Sequence, residues 1–181
     1  MTNTKHTRSG EANPAFPAWS TQHTLVLPIA QQDWPLPDTA VEIDGVAFLP
    51  KRELHITLVG KALGAELREV AAGTAGVDDA IRAAFGAQDW CWTRLHRWLR
   101  LRKRADATAR ESIIELVELP AMAKFHQRLG VLTGRVLPVP PPHVTLFTAA
   151  GGPAIGVADA AALQRLTVRA IDGSELSLAN C

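Results

Sequence analysis

Two tetrapeptides in this chain carry residue types that could do chemistry: His55-Ile56-Thr57-Leu58 and, 88 positions later, His143-Val144-Thr145-Leu146. Each reads His, β-branched aliphatic, Thr, Leu. On a β-strand, residues i and i+2 share a face. Each His therefore stands beside its Thr, while Ile56/Leu58 and Val144/Leu146 point the other way, into a core. Two such strands side by side would aim two imidazoles and two hydroxyls at one opening. Imidazole titrates near neutrality and can give or take a proton, and a threonine hydroxyl can donate to a developing oxyanion. The combination suits proton transfer at a phosphate.

The elements that must position these residues follow from periodicity. Thr24–Ile29 reads as a first strand. Val41–Ile43 and Val46–Phe48 flank Asp44-Gly45, a two-residue hairpin signal. The first tetrapeptide occupies a strand over 54–59, closed by Gly60. Helical stripes follow at Leu63, Leu67, Val70 and Ala71, then at Val77, Ile81 and Phe85, with Asp78 and Asp79 suited to a helix N-terminus. Residues 90–104 alternate with period two. Leu95, Leu99 and Leu101 mark one face, and Trp92, Arg94, His96, Trp98, Arg100, Arg102 and Arg104 the other. Residues 105–110 read as a loop and Ser112–Leu119 as the next strand. Pro120 begins a helix striped by Met122, Phe125 and Leu129, which leaves His126 facing solvent and ends near Gly130 or Gly134. Val139-Pro140-Pro141-Pro142 imposes an extended, rigid approach to His143. A short helix over 158–166 and a hairpin, Thr167–Ile171 with Glu175–Leu178 about Asp172-Gly173, complete the chain. A strand-motif-helix unit thus occurs twice, which points to an α+β protein of two similar lobes with a cleft between them.

With 181 residues, 47% of them hydrophobic, the chain can bury one sizeable core. The polar segment 1–18 reads as a flexible tail, leaving a single domain over 19–181. It lacks an apolar signal-peptide region, and no apolar run reaches membrane-spanning length, so a cytoplasmic protein without a membrane partner is expected. A net charge of +1 names no partner, so any anion site must be local. Cys91 and Cys181 cannot form a disulfide framework, which fits a reducing compartment, and Cys91 lacks a nucleophile signature. No third ligand stands at a zinc spacing, and there is no P-loop or Gly-x-Gly-x-x-Gly pattern, so neither a metal nor a cofactor is expected.

The alternating strand supplies a second set of candidates. Arg94, Arg100 and Arg102 could grip a nucleic-acid backbone, and Trp98 could stack a base. The competing reading is a solvated charged face with its Trp rings covered. Glu53 is either an orienting partner for an imidazole or a solvated charge at the strand start, with the balance toward the latter. His96 could help bind phosphate from the basic face but reads more readily as a surface residue, and His6 and His23 lack the full motif.

Two His-x-Thr-Leu motifs half a chain apart, the second preceded by Pro142, resemble the signature of the 2H phosphoesterase superfamily, which includes 2′-5′ RNA ligase-like proteins and 2′,3′-cyclic phosphodiesterases. The resemblance spans about residues 20–180, and its specificity rests on eight positions. It implies a bilobal α+β fold, with two pseudo-symmetric lobes whose antiparallel sheets face a central cleft and whose helices pack outside. It implies metal-independent chemistry on phosphodiesters, with His55, Thr57, His143 and Thr145 as the catalytic residues. The expected activity is hydrolysis of a 2′,3′-cyclic phosphate at an RNA 3′ end or in a small nucleotide, by a monomer. Alternatives are cleavage or reverse ligation of 2′-5′ linkages, cleavage of cyclic oligonucleotide signals, and a non-catalytic RNA-binding module.

Overall fold

Strands form where β-branched and other apolar residues alternate with polar ones. The computed structural model describes residues 14–105 and 108–176, and among these the chain builds eight strands and four α-helices. The order is β1 (Leu25–Ile29), β2 (Val41–Ile43), β3 (Val46–Pro50), β4 (Leu54–Val59), α1 (Lys61–Gly73), α2 (Val77–Gly86), β5 (Thr93–Ala105), β6 (Thr108–Glu118), α3 (Ala121–Thr133), β7 (His143–Ala149), α4 (Ala160–Leu166) and β8 (Thr167–Ile171). The architecture is mixed α+β around one antiparallel sheet, ordered β1-β4-β7-β6-β5-β8, with β3 joining β7 and carrying β2. Strand β7 is the pivot. On one side it pairs with β6 along most of its length. On the other it meets β4 through a single registered pair, Ile56–Val144, and then β3 through Phe147–Ala149.

Sequence punctuation explains several boundaries. Asp44 and Gly45 both take positive φ, 51° and 73°, as a two-residue turn matched to strand twist requires. Asp159 caps α4, its carboxylate accepting from the Ala162 amide at 2.6 Å. Helix α3 ends where Gly134 adopts the left-handed conformation, φ 68°.

Other expectations are corrected. The loop expected over 105–110 is far shorter, because β5 and β6 stay paired out to Ala105–Thr108. Where the second strand of the hairpin is expected to begin at Glu175, Gly173–Leu176 forms a 3₁₀ turn; Ser177 and Leu178, like His6 and Cys181, lie outside the described residues. The expected tail does not extend to residue 18. Phe16 packs edge-on to Phe85, 5.4 Å between ring centroids, with the Arg82 guanidinium over its face. His126 is not solvent-facing. It is 2% exposed, and its Nε2 lies 2.8 Å from the Leu58 carbonyl oxygen, tying α3 to the strand of the first motif.

The sheet buries both faces unequally. The larger core holds Leu67 of α1, Ile81 and Phe85 of α2, and Met122, Phe125 and Leu129 of α3 against Ile56, Leu58, Val144, Leu146, Phe147 and Ile113. A smaller cluster on the opposite face sets Ala162, Leu163 and Leu166 of α4, with Ile155 and Val157, over Leu99, Leu101, Ile114 and Leu116.

Within the larger core lies a fully buried carboxylate. Glu115 accepts from the Trp34 indole at 3.0 Å, from Arg94 Nε at 3.0 Å and Nη2 at 2.8 Å, from the His96 backbone amide at 3.2 Å, and from the Trp98 indole at 2.9 Å. A buried charge is tolerable when paired and hydrogen-bonded in this way, and costly when one partner is removed. Replacing Glu115 by Ala strands the Arg94 guanidinium, which is 7% exposed. The expected loss is about 3–5 kcal/mol of unfolding free energy, measured by urea denaturation. A loss below about 1 kcal/mol, the range of an exposed ion pair, would show that the network holds nothing in place.

Candidate functional site

Ile56 and Val144 face each other across β4 and β7. Continuing that antiparallel register by one residue in each direction sets His55 opposite Thr145 and Thr57 opposite His143. Directly opposed residues place their Cβ atoms about 5 Å apart. The four side chains of the two motifs therefore form one patch, two residues long and two strands wide. Ile56 and Val144 anchor it from below and are fully buried in the larger core. The patch lies on the other face, beside the cluster under α4, because Thr145 pairs with Ile114 and His143 with Leu116.

A register shift in β7 sets where this face ends. Thr145 pairs with Ile114 but Phe147 pairs with Ile113, so Leu146 is an extra residue on β7. A bulge of this kind re-aims the side chains beyond it. Phe147 thereby returns to the larger core instead of following Thr145 onto the patch.

The proline run shapes the second histidine. The Pro142 carbonyl accepts from the Val117 amide at 3.0 Å, so the β6–β7 ladder continues past the strand end although prolines have no N–H to give. The Pro141 carbonyl lies 2.8 Å from His143 Nδ1. Only an Nδ1–H can satisfy that contact, which leaves Nε2 as the nitrogen with a free lone pair. His143 is 8% exposed. Burial lowers its proton affinity, the Pro141 carbonyl opposes this, and the neighbouring His55 lowers it further. His55 is half-buried, and its pKa is also pushed down, first by burial and then by the charge of Lys51, with Glu53 pulling the other way. Both imidazoles are thus held toward the neutral form in the free protein, and each is within electrostatic range of the other or of a cation. The third described histidine with a shift, His126, is likewise lowered by burial, against the Leu58 and Pro138 carbonyls.

The basic strand turns out differently from the expectation. Arg94, Trp98, Arg100 and Arg102 do share one side of β5, but that side faces the larger core, opposite the histidine patch. Their cross-strand partners are Val117, Glu115, Ile113 and Glu111. Arg94 is consumed by Glu115. Arg100, 2% exposed, binds Glu111 at 2.7 Å and Asp44, and lies over the Phe48 ring. Arg102 is tied to Glu111 at 2.8 Å, and the Trp98 indole is spent on Glu115. The open basic and aromatic face expected from the sequence is therefore corrected to a structural ion-pair layer. This side of β5 can be buried because Glu111 and Glu115 supply the counter-charges internally.

Two cations that were not singled out stand on the patch side instead. Arg97 is exposed and pairs with Leu116, itself the partner of His143. Strands are about 4.8 Å apart, so Arg97 sits roughly 10 Å from His143 in the same cross-strand row. Its odd position among Leu95, Leu99 and Leu101 was the available signal. Lys51 follows β3, and its amide donates to the Leu146 carbonyl at 2.7 Å, one residue from Thr145. Its effect on His55 places its charge at the patch edge. His96 is exposed at the β5 irregularity with φ 50°, and Cys91 is half-buried. Among the described residues, no group of three or more His, Cys, Asp or Glu is placed to hold a metal ion, and no helix is long and apolar enough to cross a membrane.

No protein-family model, no curated protein and no solved structure matches this chain.

The three depressed histidines give folding a defined pH dependence. Each binds a proton less readily folded than unfolded, where its pKa is near 6.5. The unfolded chain therefore takes up more protons as pH falls below about 6.5, and stability drops there. The shifted carboxylates all move downward and act only below about pH 5. Urea titrations should show unfolding free energy level between pH 7 and 8 and declining from about pH 6.5 to 5. A constant value over that interval would rule out neutral, desolvated imidazoles.

Proposed function

We propose that this protein is a phosphodiesterase that opens a 2′,3′-cyclic phosphate, at an RNA 3′ end or in a small nucleotide, by histidine general acid–base catalysis. The observation that carries the reading is the register of β4 and β7, which sets His55 opposite Thr145 and Thr57 opposite His143 on one face. The resemblance of the two motifs to the 2H phosphoesterases points the same way. In that light β1–β4 and β7-β6-β5-β8 are read as two lobes, joined where β4 and β7 share a single registered pair, with the substrate between them. A cytoplasmic monomer fits this role.

In the proposed reaction, one imidazole takes a proton from water as its oxygen bonds to phosphorus. The other imidazole gives a proton to the ribose oxygen as its bond to phosphorus breaks. The product is a phosphomonoester with a freed hydroxyl, and the two histidines exchange protons with solvent to reset. Whichever role it has, His143 works through Nε2, because Nδ1 is committed to Pro141. Thr57 and Thr145 donate to the non-bridging oxygens, where charge accumulates. Lys51 and Arg97 add positive charge at the margins of the phosphate, which focuses an anion on the patch.

Turnover of 2′,3′-cyclic nucleotides should persist in EDTA. His55→Ala and His143→Ala should each lower kcat/KM by about 10²–10⁴, and Thr57→Val or Thr145→Val by about 10²–10³. Because both free-protein imidazoles have depressed pKa values, the kcat/KM profile should be bell-shaped with its maximum on the acidic side of about pH 6.5. A flat profile from about pH 5 to 9 excludes a pair of histidines as acid and base. Cleavage confined to 2′-5′ oligoadenylate or cyclic dinucleotides would move the substrate and keep the site. Tight RNA binding with no turnover would leave only a binding module.

A further inference from the structure

The far end of the β5–β6 ladder carries a charge pattern that stability alone would not select. Arg102 on β5 faces Glu111 on β6 and bonds to it at 2.8 Å. The next pair in register is Lys103 with Arg110, two exposed cations directly opposed. Opposite charges facing across a ladder stabilise it, and like charges destabilise it. Lys103 stands two residues beyond Leu101, so it shares the face that packs under α4. Helix α4 brings Arg165 of its last turn to the same place, and Arg104 follows on β5. Lys103, Arg104 and Arg165 border a groove of about 420 Å³ whose lining holds no acidic residue. Among the described residues, none of these three cations, nor Arg110, is engaged in an ion pair. The groove exists because β8 pairs with β5 only through Trp98–Leu101, which leaves the outer edge of β5 free beyond that point among the described residues. Val168 is passed over in this register, between the Arg100–Arg169 and Leu101–Thr167 pairs, and is 45% exposed beside the half-buried Leu166. Cations on a free strand edge also discourage pairing with another sheet, but that purpose needs no opposed like pair. In a chain of net charge +1, the cluster is a local feature.

We propose that this groove binds the phosphodiester backbone of single-stranded RNA, so that the protein acts on RNA ends rather than on free nucleotides. The choice of polyanion rests on the phosphodiesterase reading, but binding can be measured without turnover. Closely set cations along a groove track a nucleic-acid backbone, and Leu166 and Val168 offer the bases apolar contact. A lipid surface fits less well, because membrane-binding elements project large apolar side chains outward, whereas Val168 lines the groove. The cluster also stands on the face of the histidine patch, beyond α4. Arg110 and Ile114 share a face of β6, and Ile114 is the partner of Thr145. Four residues of strand separate them by about 13 Å. At about 3.4 Å per stacked nucleotide, the groove meets the chain roughly four nucleotides from the reacting end.

The test is fluorescence anisotropy of the full chain with a labelled single-stranded RNA of about twelve nucleotides, ending in ordinary hydroxyls, over a range of salt. Four cations give a slope of log Kobs against log salt of about −3. Lys103→Glu is the informative variant, because it sets a carboxylate opposite Arg110. It should keep or raise the melting temperature, yet weaken RNA binding about tenfold and make the slope shallower by about 1.4. Arg165→Ala should weaken RNA binding less and make the slope shallower by about 0.7. Turnover of a 2′,3′-cyclic mononucleotide by Lys103→Glu should stay within about twofold of the unchanged protein, since the groove is about 13 Å from the patch. RNA affinity unmoved by Lys103→Glu overturns the proposal. So does an oligoglutamate peptide, or a phosphatidylserine vesicle, bound as tightly as RNA and lost in the same variants. If RNA binding responds as stated while no cyclic phosphate is hydrolysed, the groove stands and the hydrolase reading falls. If hydrolysis proceeds and the variants leave RNA affinity unchanged, the reverse holds.

Discussion

One buried carboxylate organises more of this molecule than any other single group. Glu115 sits on β6 opposite Val144, on the core side of the sheet directly beneath the second motif. Its two oxygens collect donors from two separate parts of the chain: the Trp34 indole, and on β5 the Arg94 guanidinium, the His96 amide and the Trp98 indole. Burying a carboxylate among apolar side chains is unfavourable unless every lone pair is engaged. Satisfying Glu115 therefore fixes the path of β5 through its irregularity, and with it the placement of Arg97 in the same cross-strand row as His143. It also ties Trp34, and the segment that begins there, to the sheet. A charge on one face of the sheet thus bears on the placement of side chains on the other.

The patch itself depends on an economy of alternation. Ile56 and Val144 meet across the two strands and, being β-branched, are stiff at χ1. Fixed in the core, they leave the adjacent His and Thr residues little choice of direction. His126 reinforces this from below through the Leu58 carbonyl. The extra residue at Leu146 then returns β7 to the larger core, so the patch ends after Thr145 and its edge is completed by Lys51 from a different strand. The change of partner from β4 to β3 brings Lys51 to the edge of the patch, where its charge acts on His55.

Much of this was legible in the sequence, and the limits have physical causes. Strand β4 was placed at 54–59, and the Asp44-Gly45 turn was expected, because both depend on local signals: period-two alternation and positive φ. The proline run before His143 is legible as a segment without N–H donors, but the use of its carbonyls on Val117 and His143 is not encoded in residue types. The basic strand failed for a different reason. Alternation correctly grouped Arg94, Trp98, Arg100 and Arg102, but it cannot say which face is inside. That was decided by Glu111 and Glu115, acidic residues on the partner strand whose pairing is non-local. His126 was misplaced because a histidine on an apolar helix face reads as polar until a carbonyl from another strand satisfies it.

The electrostatics of the patch give the two histidines a conditional character. In the free protein the prevailing effects oppose a positive charge: burial at both, Lys51 near His55, and His55 near His143, against the opposite pull of Glu53 and of the Pro141 carbonyl. An anion lying between them reverses two of these effects. It offers Lys51 a counter-charge, and it stabilises whichever imidazolium forms beside it. The Pro141 carbonyl, which accepts from Nδ1–H in either protonation state, is unaffected and keeps the His143 ring in one orientation throughout. Proton uptake and anion binding are therefore linked at this site. A neutral molecule of the same shape would meet two unprotonated bases, whereas an anion raises the proton affinity of the imidazoles it lies between. Discrimination for charge is built into the burial of the histidines, before any side chain reads the rest of the ligand.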